Sequence, residues 1–359
     1  MIAPRLFPRT RLTRQLAQID DITQGTLVAT TDPQVWDRFV AQAADGSILQ
    51  SWAWGELKAR YGWEPTRYLW IRAGRLRGAV SVLRRSLPGG FAVHYAPRGP
   101  VLDRNFDEWP YLWAALRREL AAQGGTVLKV DPEWPEAGAR AFEETGARPS
   151  QAIQHQATAI VDLRGGEAVF DRMSASARRN MRNAEKAGVV VESSTNIDAV
   201  DRFYELLAAT AVRQEFIVRP LSYYRELFAA FKRRGQVRVY LASHNGVTVA
   251  GTVMMTYGTR LTYLFSGSSD EGRRLKAPYL LQQRAIRDAQ AAGCVSYDLW
   301  GIPLDPRPGD AGWGYAHFKS MLGGVPVQFA GAWDIPVHRP LAVAYHLAER
   351  VAGRRAMVA

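Results

Sequence analysis

Residues 237–257 read Val-Arg-Val-Tyr-Leu-Ala-Ser-His-Asn-Gly-Val-Thr-Val-Ala-Gly-Thr-Val-Met-Met-Thr-Tyr. Two apolar runs rich in β-branched residues flank Ser-His-Asn-Gly, and an Asn-Gly pair between such runs marks a tight hairpin, because both turn residues must take positive φ. The same device occurs earlier, where the extended runs Arg67–Arg72 and Gly78–Arg84 are joined across Ala-Gly-Arg. Working outward from each hairpin, the expected elements repeat in order. Helices over Pro33–Ala43 and Ser51–Tyr61 precede the first hairpin, and helices over Val200–Thr210 and Ser222–Phe231 precede the second. A further strand (Phe91–Tyr95; Arg260–Ser266), a helix (Phe106–Gln123; Ala277–Ala291) and another strand (Thr126–Asp131; Val295–Trp300) follow in both. Asp-Arg-Phe stands in the first helix of each copy, at Asp37–Phe39 and Asp201–Phe203. Repetition of one mixed unit predicts an α/β fold class, with α+β mixed sheets in two tandem domains.

The expected division is residues 26–165 and 166–335, with a basic arm over 1–25 and a terminal helix over 339–351 that packs back on the first domain. A helix over Glu136–Glu144 and a strand over Gln154–Asp162 close the first domain. The second opens on one long basic helix, Glu167–Lys186, and ends on a strand over Val325–Trp333. With 359 residues and 47% hydrophobic content, the chain is long enough for two cores. Lysine and arginine number 46 against 34 acidic residues, a formal charge of +12, so anionic partners are favoured. Cys294 is the only cysteine, which excludes an intrachain disulfide and a cysteine-cluster metal site. No run approaches the ~20 apolar residues of a membrane span, and the N-terminus lacks a signal-peptide core. A cytoplasmic protein is expected, with any membrane contact peripheral.

Gly312–Gly324 reads Gly-Trp-Gly-Tyr-Ala-His-Phe-Lys-Ser-Met-Leu-Gly-Gly and places one lysine in a short apolar helix. Phe318, Met321 and Leu322 fall at helical spacing, so they pin the helix to a core while Lys319 and His317 turn to another surface. A lysine held this way offers a fixed positive charge to an oxyanion, the usual large contribution to acyl transfer. Asp103 follows the turn Ala-Pro-Arg-Gly-Pro-Val-Leu at a strand end, where a carboxylate can accept or direct a proton. Arg178, Arg182 and Lys186 repeat every four residues and form one basic stripe, either a solvated face or a phosphate-contacting one.

Several stretches together resemble the Fem-type (FemABX) aminoacyltransferases, which build peptidoglycan cross-bridges. They are Ser-Trp-Ala-Trp-Gly-Glu-Leu-Lys at 51–58, Pro-Arg-Gly-Pro-Val-Leu-Asp at 97–103 and Arg-Arg-Asn-Met-Arg-Asn-Ala-Glu-Lys-Ala-Gly-Val at 178–189. Thr210 with Arg213 and Phe216, Tyr263 with Ser266-Gly267-Ser268, and His317-Phe318-Lys319 complete the set. The resemblance implies two tandem GNAT-like domains with a cleft between them, in the short FemX-like form without a coiled-coil arm. It implies transfer of glycine, alanine or serine from aminoacyl-tRNA to the side-chain amine of a stem peptide, on UDP-MurNAc-pentapeptide or a lipid-linked precursor, by a monomer that needs no cofactor or metal. It gives Lys319 the oxyanion, with Phe318 beside the reacting ends, and gives Lys58 and Arg213 the precursor diphosphate with Tyr263 flanking the cleft. The stripe of Arg178, Arg182 and Lys186 then meets the tRNA acceptor stem.

Two other classes stand beside this one. An acyl-coenzyme A-dependent N-acyltransferase of GNAT type would need a glycine-rich pyrophosphate loop, of which Gly272-Arg-Arg-Leu-Lys-Ala277 is a glycine-poor relative. A non-catalytic basic RNA-binding protein would display its aromatics on an open strand surface, whereas here they are scattered through expected cores.

Overall fold

The computed structural model describes residues 25–310 and 312–351, so the expected N-terminal arm, apart from Gly25, lies outside the described residues. Six strands come before residue 150: β1 (Thr26–Ala29), β2 (Glu64–Arg72), β3 (Arg75–Ser86), β4 (Ala92–Ala96), β5 (Gly125–Val130) and β6 (Arg148–Pro149). Eight follow: β7 (Ala157–Asp162), β8 (Val190–Ser194), β9 (Val237–His244), β10 (Val247–Tyr257), β11 (Arg260–Ser268), β12 (Ser296–Gly301), β13 (Val325–Gln328) and β14 (Trp333–Pro336). They build two sheets, ordered β1-β2-β3-β4-β5-β14-β6 and β13-β7-β12-β11-β10-β9-β8.

Both hairpins close as the turn residues dictate. Ala73 and Gly74 have φ of 49° and 66°, and Asn245 and Gly246 have 50° and 79°, the positive pair that matches the twist of the flanking strands. In each sheet the antiparallel run leads into one parallel pair, β4–β5 and β11–β12. Parallel neighbours need a crossover, supplied by helix Trp109–Ala122 in one sheet and helix Ala277–Ala291 in the other. β11 and β12 pair only from Arg260–Thr262 to Ser296–Asp298 and then part, opening a wedge from Tyr263 and Trp300 onward.

Three elements differ from expectation. The strand ending at Asp162 pairs with β12 and β13 in the second sheet, not with the first. The last expected strand is two strands: β13 stays in the second sheet, and β14 inserts between β5 and β6 of the first. The basic helix is broken into Ala168–Asp171 and Ala175–Lys186, because Ser174 takes an extended ψ of 148° and its hydroxyl caps Ala177 N.

The halves share an apolar core. Trp36, Val40, Leu49, Trp54 and Leu57 of the first pack with Phe203, Tyr224, Phe228, Phe231, Val253 and Met255 of the second. Each such side chain, fully buried, contributes about 1.5–3 kcal/mol, so the junction is as firm as either interior. Helix Arg339–Val351 lies on the first sheet, with Tyr345 against Val93 and Val127.

Candidate active site

Helix Trp313–Met321 starts after Gly312, whose φ of 91° lets the chain turn sharply from the preceding loop. Its Lys319 is only 7% exposed. The ammonium donates to the carbonyl of Gly301 at 2.6 Å and to that of Trp300 at 3.2 Å. These carbonyls converge because Trp300 has left-handed φ of 63°, and Asp298 Oδ1 fixes that kink by accepting from Trp300 N at 2.9 Å and from the Thr158 hydroxyl. The rings of Tyr315 and Tyr263 lie 5.2 and 5.9 Å from the ammonium. Burial lowers the Lys319 pKa to about 8 against the opposing pull of Asp298, so at neutral pH most of the charge remains. Burial also pushes Tyr263 up to about 12, which keeps it a neutral hydroxyl.

Lys319 and Tyr263 are thus brought together at the wedge between β11 and β12. Phe318 turns to the core side and packs edge-on against Tyr279 at 4.9 Å. His317 does not share the surface of Lys319; it is exposed and stacks on Trp313. Asp103 lies elsewhere. It is exposed with φ of 48°, and its Oδ1 accepts from Ala44 N at 2.9 Å, tying the loop after helix Pro33–Gln42 to the turn beyond β4.

A cavity of about 410 Å³ is walled mainly by the first half, with Trp54, Lys58, Trp63, Tyr95 and Gln154 among its lining residues and Arg219 contributed by the second. The Lys58 ammonium sits over the rings of Trp54 and Tyr223, at 5.2 and 5.9 Å, and burial followed by the charges of Arg219 and Arg85 lowers its pKa to about 8. The Arg219 guanidinium lies over the same Tyr223 ring at 5.6 Å. Arg213 does not line this cavity. Its guanidinium donates to Ser268 O at 3.1 Å and lies 3.6 Å from Asp270, at the end of β11. Arg219 is the cation that sequence reasoning missed; its signal was a place just before Pro220, four residues ahead of Tyr223 in the helix Leu221–Lys232.

Cavity and Lys319 flank one short segment. Residues 151–154 line the cavity. The ring of the next residue, His155, is packed on Gly301 so closely that a Cβ there would lie 1.9 Å from it. The buried guanidinium of Arg98 donates to His155 O at 2.7 Å and lies over the rings of Phe329 and Trp300, at 4.7 and 5.5 Å.

The basic stripe divides. Arg178 is spent on the helix start, donating to Asp171 O at 2.9 Å and Met173 O at 2.7 Å, whereas Arg182 and Lys186 are exposed. The segment that resembles a pyrophosphate loop has no open cradle, since a Cβ on Gly272 would meet Val249 O at 2.1 Å. Asp334, His346 and Glu349 bring potential metal ligands within 4.8 Å of one another. An ammonium already stands between the two carboxylates: Lys129 Nζ is 2.9 Å from Asp334 and 3.3 Å from Glu349.

Residues 31–149 match the model of the FemAB family, and residues 171–320 that of an acetyltransferase (GNAT) domain. Over 292 residues the chain is 26% identical to a UDP-N-acetylmuramoylpentapeptide-lysine N(6)-alanyltransferase of Weissella viridescens, covering 76% of this chain and 85% of that one. It is 23% identical over 400 aligned positions to a lipid II:glycine glycyltransferase of Staphylococcus epidermidis, covering 89% and 94%. The crystal structure of FemX superimposes with a TM-score of 0.81 at 21% identity, over 90% of this chain and 100% of that one. A tandem GNAT protein from the clavulanic acid biosynthesis pathway does so with a TM-score of 0.53 at 17% identity, over 87% and 98%. The fold is therefore two GNAT-like units in tandem.

Proposed function

We propose that this chain, a member of the FemAB family, transfers an aminoacyl group (glycine, alanine or serine) from aminoacyl-tRNA to the side-chain amine of a peptidoglycan stem peptide. The observation that carries this reading is the buried Lys319 ammonium, held by two backbone carbonyls where β11 and β12 part. Two of its three N–H donors are spent on Trp300 and Gly301, which leaves one for a reacting oxygen. The ester donor is already activated. Attack by the neutral acceptor amine forms the C–N bond and puts negative charge on the former carbonyl oxygen; collapse breaks the C–O bond to the ribose, and the proton lost by the attacking nitrogen ends on that oxygen as the freed hydroxyl. Lys319 holds the oxyanion through that step, and a single donor of this kind accounts for ~10²–10³ in rate. An unperturbed amine of pKa ~10.4 is neutral in only about one molecule in a few thousand at pH 7, so part of catalysis is selection of that form.

The precursor occupies the cavity of Lys58 and Arg219. The two cations suit a diphosphate, with Trp54, Trp63 and Leu83 supplying apolar walls. Arg213 holds the end of β11 instead, and Asp103 shapes a loop. Exposed Arg182 and Lys186 serve the tRNA, and Arg178 orders the helix that carries them.

The test is incubation with tRNA charged with labelled glycine, alanine or serine and a nucleotide-linked stem peptide. The expected result is a peptide heavier by one residue, formed with at least one donor. Transfer from an acyl-coenzyme A but from no charged tRNA would overturn the assignment.

A further inference from the structure

Helix Arg339–Val351 buries Ala342 and Tyr345 and half-buries His346 and Glu349, positions three and four residues apart on the side facing the first sheet. The opposite side carries Pro340, Val343, Ala344, Leu347 and Ala348. All five are exposed and none is polar, with Val343 and Leu347 exposed by 52% and 57%. A helix lying on a globular core ordinarily turns its charged face outward, so this one is apolar on the side where solvation favours charge. Beside the stripe lies a second cavity, of about 430 Å³, lined by Arg148, Asp334, Arg339, Pro340, Val343 and His346 among others. Asp334 is taken by Lys129, and among the described residues neither Arg148 nor Arg339 pairs with a carboxylate. Beyond Glu349 the sequence adds Arg350, Arg354 and Arg355 and no acidic side chain.

An apolar strip bordered by cations matches the interface of an anionic bilayer, acyl chains below and phosphates beside. A second copy of the chain fits less well, because a symmetric pairing of the strip would set Arg148 and Arg339 against their own counterparts. Among the described residues no helix is long and apolar enough to cross a membrane, so the contact lies along the surface.

We infer that the outer face of helix Arg339–Val351, with Arg148 and Arg339 as phosphate contacts, seats the protein on an anionic phospholipid surface. The inner side of that helix contributes Glu349 to the cavity of Lys58 and Arg219. Docking therefore brings that cavity within about one helix diameter, ~10 Å, of the lipid headgroups, where a diphosphate attached to a lipid would lie. Only this last step rests on the function proposed above; the docking surface stands without it.

The experiment is sedimentation of the full chain with vesicles of phosphatidylglycerol and phosphatidylcholine, and with phosphatidylcholine alone, at low and moderate salt. The expected result is binding to the anionic vesicles that weakens with salt. It drops at least ~10-fold in the Val343→Asp/Leu347→Asp variant and in the Arg148→Glu/Arg339→Glu variant. Circular dichroism of both variants matches the parent, and transfer to a soluble nucleotide-linked peptide is unchanged in the first. Equal binding by parent and variants, equal binding to neutral vesicles, or a dimer that V343D/L347D dissolves overturns the inference. Absence of transfer with intact vesicle binding would count against the enzyme reading alone.

Discussion

Asp298 sets the backbone of Trp300: the carboxylate two residues upstream accepts the Trp300 amide at 2.9 Å and holds a tryptophan at φ of 63°. That pairing, more than any contact of Lys319 itself, decides where the two carbonyls that grip the ammonium point. Asp298→Ala leaves the Trp300 amide and the Thr158 hydroxyl without their buried acceptor, at about 1–3 kcal/mol for each. Thermal unfolding should shift down by several degrees and single-turnover transfer should fall, while Asp298→Asn, which keeps one acceptor oxygen, recovers most of the stability. An alanine variant with the parent's melting temperature and rate would break the link drawn here.

Lys319→Met should separate activity from stability. Transfer falls by ~10²–10³. For stability the cost of the buried charge runs the other way, because burial lowers the lysine's folded pKa from 10.5 to about 8. Below pH 8 the cost of burying the charge is fully present; between pH 8 and 10.5 the unfolded chain binds more protons, and that cost fades as pH rises. The methionine variant leaves the Trp300 and Gly301 carbonyls without this donor, a pH-independent cost of about 1–3 kcal/mol each, so the parent's stability relative to the variant should rise from pH 8 toward pH 10. Denaturant titrations at pH 7 and 10 check this. The parent's rate, corrected for the fraction of neutral acceptor amine, should decline above about pH 8.

Lys58→Ala and Arg219→Ala should each raise KM for the nucleotide-linked precursor by ~10-fold or more, with a smaller change in kcat. Arg213→Ala should leave that KM near the parent's value, since its guanidinium is engaged at Ser268 and Asp270. Steady-state kinetics on the three variants decides between Arg213 and Arg219. Equal effects at both would contradict the placement.

Arg182→Glu/Lys186→Glu should weaken aminoacyl-tRNA binding and lower the slope of log affinity against log salt by roughly one for each phosphate that is no longer neutralised. Arg178→Ala should act through stability, because it removes the donor to Asp171 and Met173. Binding titrations at several salt concentrations, with melting curves alongside, distinguish the two kinds of arginine.

The duplicated unit was legible because its evidence is local. Asn245-Gly246 and Ala73-Gly74 dictate their turns whatever surrounds them, and the apolar spacing of Phe318, Met321 and Leu322 predicts which side of its helix is pinned. Neighbours in space but not in sequence were hidden. Nothing in Ala157–Asp162 says that it pairs with β12, or in Trp333–Pro336 that it pairs with β5, since an alternating or apolar run carries no address for its partner. For the same reason Arg219 was passed over for Arg213: they stand six positions apart, and only the packing against Tyr223 brings Arg219 to the cavity. Arg178 looked like a surface cation because its carbonyl partners belong to a helix break that the basic pattern concealed.

The return of β14 to the first sheet has a practical outcome. A fragment ending before residue 157 would present β5 and β6 with a vacant slot between them, and a fragment beginning there would carry a stray strand with nothing to pair to. Severing the polypeptide near residue 155 thus yields two incomplete pieces, and limited proteolysis at that point should leave a nicked but associated whole. Neither half is complete without the other, because one lends a strand to its neighbour's sheet and both build the same apolar core.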